Sequence, residues 1–131
     1  GMTPRLDMVG LVTTDMPAAL AFYRRLGLEI PADADTEPHV EITLDSGLRL
    51  AWDTVETIHS FDPSWTPPTG GHRSALAFLC DSPAEVDSVT HALEAAGATI
   101  HHEPWDAFWG QRYATVLDPD GTPVDLFAPL G

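Results

Sequence analysis

The chain has no lysine, one cysteine and no long hydrophobic run. Without lysine, no side-chain amine is available to form a Schiff base with a carbonyl substrate. With Cys80 as the only cysteine, no internal disulfide can form, and a cytoplasmic protein is expected. No apolar stretch approaches the roughly 18 residues that a membrane helix needs. Pro4, Arg5 and Asp7 interrupt the first segment, so it does not read as a signal peptide. Basic residues are scarce, with 6 arginines against 20 acids and a formal net charge of -14. That balance repels nucleic-acid phosphates and anionic lipid headgroups, so neither is expected as a partner. A phosphate loop is also missing, because no G-K-[ST] follows Gly70-Gly71. No nucleophile-elbow motif marks a serine hydrolase.

What remains suits one compact domain. The 131 residues are 44% hydrophobic, enough for a core. The first half reads "LDMVGLVTTDMPAALAFYRRLGLEI" and the second "SALAFLCDSPAEVDSVTHALEAAGATI". Each runs from a β-like segment through D-x-P-A into a helical stretch, a glycine and another apolar segment. Asp15 and Asp81 are placed to cap the helices, with Pro17 and Pro83 in the first turn, where a missing N–H costs little. Leu20, Tyr23 and Leu26 share one helix face, as do Val86, Val89 and Leu93. Gly27 and Gly97 stand where helices stop. The wider spacing from Asp81 to its glycine makes the second helix about one turn longer.

Two hairpin signals follow. "HVEITLDSGLRLAW" turns at Asp45-Ser46-Gly47, and "RYATVLDPDGTPVDLF" turns at Asp118-Pro119-Asp120-Gly121. The chain therefore reads as two βαβββ modules, residues 2–54 and 73–131, within one structural domain overall. A connection rich in proline, glycine and polar residues spans 55–72.

Two such halves, with "LAFYRRLGL" in the first and "WGQRYATVLDPDGTPVDLF" in the second, resemble the vicinal oxygen chelate superfamily. That group includes glyoxalase I, extradiol dioxygenases, fosfomycin resistance enzymes and bleomycin resistance proteins. The resemblance covers almost the whole chain. It implies an α+β fold in which the modules form a curled mixed sheet around a central cup, and chains that pair as homodimers.

The resemblance also implies four positions where the enzymes hold a divalent metal. Here they fall on Met8, Ala75 (Ser74 if the register slips by one), Ala51 and Asp125. A thioether and two methyl groups beside one carboxylate are a poor donor set for a hard or borderline cation. Neither a metal nor any other cofactor is expected. A substitute site from His39, Glu41 and Asp125 remains open, since His39 and Glu41 are two apart and share a strand face.

Rings gather instead. Trp52 ends the first module and Trp65 lies in the connection. Trp105, Phe108, Trp109 and Tyr113 cluster ahead of the last turn. In a small protein such rings are often core, but they also suit a flat or cationic ligand. The expected ligand-binding set is Met8, Gly10, His39, Glu41, Trp52, Trp65, Trp105, Phe108, Trp109, Tyr113 and Asp125. Met8 would give an adaptable floor and Gly10 would leave space above it.

The leading reading is a metal-independent binding protein of the bleomycin resistance type. It would sequester a small aromatic or cationic metabolite or antibiotic in a cup at a homodimer interface. The alternative is a lyase, isomerase or transferase of the same superfamily acting on a small oxygenated substrate. That enzyme would use a non-standard metal site, or Asp125 as general base with Arg112 as anion clamp. A third reading is a dimeric interaction module with a residual cup.

Overall fold

The computed structural model describes residues 3–131. Gly1 and Met2, the expected first residue of the first module, lie outside the described residues. The chain divides between Thr66 and Pro67 into two compact units. Among the described residues no helix is long and apolar enough to cross a membrane.

In the first unit, β1 (Met8–Thr13) leads into α1 (Met16–Arg25), followed by a hairpin of β2 (His39–Thr43) and β3 (Arg49–Thr54). The sheet order is β1-β3-β2, with β1 parallel to β3 and β2 antiparallel to it. Asp15 caps α1 by accepting from the Ala18 N–H at 3.0 Å. At the other end Gly27 N–H donates to the Arg24 carbonyl and Leu28 N–H to the Tyr23 carbonyl. That pairing needs a left-handed residue, and Gly27 supplies it with φ of 95°. Leu20 and Tyr23 are fully buried and pack on the sheet face that carries Trp52, whose ring lies 5.3 Å from that of Tyr23.

The first unit corrects one expectation. Among the described residues no strand lies between α1 and β2; Ala32–Thr36 forms a 3₁₀ turn there. Pro31 and Pro38 bracket it and cannot donate to a ladder. The carbonyls of Ile30 and Pro31 accept instead from the Arg24 guanidinium, at 3.1 and 2.6 Å. A short helix, α2 (Val55–His59), follows β3 in the expected connection, capped by Thr54.

The second unit holds β4 (Leu76–Leu79), α3 (Pro83–Ala95), β5 (Thr99–Ala107), β6 (Gln111–Leu117) and β7 (Pro123–Pro129). Its sheet order is β4-β7-β6-β5, with β4 parallel to β7 and the rest antiparallel. This is the full βαβββ pattern. The helices run 10 and 13 residues, so α3 is longer by about one turn. Ser82, rather than Asp81, caps α3, accepting from Glu85 N–H at 3.2 Å while the Glu85 carboxylate accepts from Asp81 N–H at 3.0 Å. Pro83 is then the first helical residue, where proline is best tolerated. The face of α3 turned to the sheet is Val86, Thr90 and Leu93, all buried. Thr90 takes the place expected of Val89 and satisfies its hydroxyl by donating to the Val86 carbonyl at 2.7 Å.

Both hairpins close in the same way. Gly47 N–H donates to the Leu44 carbonyl and Gly121 N–H to the Asp118 carbonyl, at φ of 92° and 87°. A third tight turn joins β5 to β6. Gly110 sits there at φ of 91° and returns its N–H to the Ala107 carbonyl, leaving Phe108 and Trp109 at the tip.

Candidate functional site

Strand side chains alternate between faces, so each sheet has one side against its helix and one open side. Matching registers put the two open sides in correspondence. Ala51 pairs with Glu41 and Gly10 in the first unit, as Asp125 pairs with Thr115 and Ala77 in the second. One step along, Asp53 pairs with His39, as Phe127 pairs with Tyr113.

The open side of the first sheet is a chain of paired charges. The His39 ring donates from Nδ1 to Asp53 at 2.6 Å and from Nε2 to Glu41 at 3.0 Å. Arg49 donates from Nη1 to Glu41 at 2.9 Å and from Nε to Asp7 at 3.1 Å. A carboxylate at each ring nitrogen favours the protonated imidazole. The bonds to Glu41 and then Asp53 raise its pKa above the ordinary histidine value. Hydrogen bonds from His39 and Arg49 lower that of Glu41. In this arrangement both ring nitrogens of His39 face carboxylates of its own unit. Met8 and Gly10 lie on the same side, and a side chain added at Gly10 would meet nothing within 4 Å.

Trp52 is not on this side. It alternates with Ala51 and Asp53, so its ring points to the helix, 1% exposed in the core. This corrects its expected place among ligand-binding residues. Trp65 lies beyond α2, half-buried, its carbonyl 2.9 Å from His59 Nε2 and its ring 6.1 Å from that of His59.

The open side of the second sheet is built of rings. Trp105 of β5 pairs with Tyr113 of β6, which pairs with Phe127 of β7. Trp109 folds back from the turn to meet Trp105 at 5.5 Å and Tyr113 at 5.3 Å, edge to face in both cases. Its indole N–H donates to Gln111 at 2.8 Å. Tyr113 and Phe127 are near parallel with centroids 6.2 Å apart, and His102 lies 5.2 Å from Trp105. Phe108 touches Trp109 edge-on but is 90% exposed, so within its unit it caps the end of the row rather than lining a cavity.

Asp125 stands at the side of this row, half-buried. One oxygen accepts from the Tyr113 hydroxyl at 2.6 Å and the other from the Thr115 hydroxyl at 2.8 Å. Burial, then the bond to Asp125, push the Tyr113 phenol up to about 12, so it remains a neutral donor. Thr115 and Phe127 escaped the sequence reading. Their signal was strand parity, two residues from Tyr113 and two from Asp125 respectively.

Arg112 is the residue the structure moves furthest from its expected role. It is adjacent to Tyr113 and therefore points to the helix side. There Asp87 of α3 grips Nε and Nη2 at 3.0 and 3.2 Å, and Asp106 takes Nη1 at 3.1 Å. A guanidinium so engaged is not an anion clamp on the ring face.

The metal positions implied by the family do not fit an ion. Ala51 and Ala75 offer no donor and Met8 offers a thioether, which leaves Asp125 as the one hard donor of the four. Among the described residues no group of three or more His, Cys, Asp or Glu side chains is gathered for a metal. A separate hollow of about 350 Å³ borders Leu28, Glu29, Ile42, Thr43 and Asp45 and is lined by none of the expected site residues.

The fold is shared with solved structures. A glyoxalase/bleomycin resistance protein/dioxygenase family enzyme from Burkholderia phytofirmans PsJN matches with a TM-score of 0.82 at 22% identity, over 97% of this chain and 100% of that one. A glyoxalase-related enzyme from Fulvimarina pelagi gives 0.80 at 20% identity, over 96% and 88%. Lactoylglutathione lyase from Agrobacterium tumefaciens gives 0.67 at 23% identity, over 96% and 94%. At such identities the likeness speaks for the fold alone. No curated protein matches the chain. The sequence model of one family matches residues 5–126, and on that extent the chain belongs to the Glyoxalase/Bleomycin resistance protein/Dioxygenase superfamily.

Proposed function

We propose that this chain is a metal-independent binding protein for a small aromatic or cationic molecule, acting in the cytoplasm as a homodimer in the manner of bleomycin resistance proteins. The observation that carries the reading is the row Trp105, Trp109, Tyr113 and Phe127 on the open side of the second sheet, with the Asp125 carboxylate beside it. Each ring that stacks on a ligand adds about 0.5–1.5 kcal/mol beyond simple burial. Four in one row are enough to hold a flat molecule without a covalent step. An antibiotic or other secondary metabolite is the natural class of ligand, neutralised by being held.

The enzyme reading asks for an acid–base pair and an anion clamp. Arg112 is bound to Asp87 and Asp106 on the helix side, which weighs against the clamp. The test is a titration of the protein with a panel of aromatic and cationic molecules, followed by tryptophan fluorescence. Trp105 and Trp109 lie in the proposed site, so saturable quenching or a wavelength shift is expected. Silence across the panel counts against the reading, and turnover of a bound molecule favours the enzyme. Sedimentation of the purified chain checks the dimer.

A further inference from the structure

We infer that the ligand of the second module's ring face is an organic cation that bears N–H groups on an aromatic body. This rests on the binding reading above and narrows it to one charge class. The ground is the solvation of Asp125. Its carboxylate is half-buried, and its hydrogen-bond partners in its own unit are two neutral hydroxyls. A carboxylate has room for about four such bonds, so two acceptor positions stay free. No arginine or histidine of the second unit pairs with it. Arg112, the arginine carried by this sheet, is turned to the other side and held by two acids. The open face of the second sheet therefore carries a carboxylate beside rings, with no arginine or histidine of its own unit paired to it.

The first unit shows what this fold does with carboxylates that need only structural partners. Glu41 and Asp53 on its open face, and Asp7 just before β1, each meet Arg49 or His39. At the position equivalent to Tyr113 stands His39, a titratable base bonded to two carboxylates. In the second unit a phenol takes that place and donates one hydrogen bond without charge. A cationic guest would pair with the half-buried carboxylate while its body stacks on the rings. An ammonium or guanidinium N–H would reach the free acceptor positions, with Tyr113 and Thr115 holding the carboxylate in place.

The experiment compares three probes of one shape by calorimetry and tryptophan fluorescence: phenethylamine, its neutral analogue phenethyl alcohol, and 3-phenylpropionate. The ammonium is expected to bind at least about 10-fold tighter than the alcohol, and the carboxylate weakest of the three. Raising the salt from low to high ionic strength should weaken the ammonium and leave the alcohol unchanged. In Asp125→Asn the ammonium preference should fall to about 2-fold or less while alcohol binding persists. Equal affinity for ammonium and alcohol in the unmodified protein overturns the inference and leaves the binding reading standing. A preference that survives Asp125→Asn also overturns it. If none of the three binds, the binding reading fails and takes the inference with it. The unmodified protein alone decides the first comparison, so a variant that misfolds does not rescue the idea.

Discussion

The two open sheet faces have the same register and opposite chemistry. In the first unit, Glu41, Asp53 and Asp7 share their charge with His39 and Arg49. In the second, Asp125 accepts from two hydroxyls of its own unit and rings stand beside it. A face whose charges are spent on each other gains little from a guest. On the proposed reading, a face with a carboxylate beside rings gains both an ion pair and burial from a cationic guest. On that proposed reading, the repeat separates scaffold from site by substitution at equivalent positions, Ala51 against Asp125 and His39 against Tyr113.

Several changes would break or sharpen that contrast. The largest effect is expected from Trp52→Ala, because the ring fills the core against Tyr23. Chemical denaturation should show a loss of about 3–5 kcal/mol. A stable variant that instead lost ligand affinity would move Trp52 to the binding side. Trp109→Ala should do the reverse. The ring is 48% exposed, so the melting temperature should change little while affinity for aromatic probes falls about 5- to 10-fold. Arg112→Met breaks the two-point contact with Asp87 and the bond to Asp106. The side chain is a quarter exposed, and the expected cost is about 1 kcal/mol with ligand affinity unchanged. An equal loss of affinity for anionic probes alone would restore the clamp.

The smallest effect belongs to His39. Its folded pKa lies above the unfolded value, so its pairing stabilises the fold fully below about pH 6.5 and less as pH rises through the folded value. The side chain is 44% exposed, so solvent screening keeps the gain to a few tenths of a kcal/mol. The unmodified chain should exceed His39→Gln in stability at pH 6 by more than at pH 9. The opposite slope would mean that the ring is held neutral.

Much of this was legible in the residues. Asp15, Gly27 and Gly97 marked helix ends because capping and left-handed turns have narrow chemical solutions. The turns at Gly47 and Gly121 fixed both hairpins and so the equivalence of Ala51 with Asp125. The strand expected after α1 failed because a side chain, Arg24, satisfied carbonyls that a ladder would have used. Pro31 and Pro38 were the local signal against a strand, while the Arg24 contacts six and seven residues away were not readable from pattern alone. The misplacement of Trp52 and Arg112 is of another kind. Arg112 and Tyr113 are neighbours on one strand and cannot share a face, and Trp52 belongs to the apolar phase with Leu50. Parity was readable, but which phase met the helix was not obvious from composition. The partners of Asp125 needed the cross-strand register, which only the structure supplies.

The most direct test strips the protein of metal with a chelator, titrates it with phenethylamine by tryptophan fluorescence, and repeats the titration with Zn²⁺, Ni²⁺ or Fe²⁺ added. The expected result is one saturable Kd, unchanged within about 2-fold by any of the ions. Binding that appears only with an ion present, or an ion held tightly at one per chain, would contradict it.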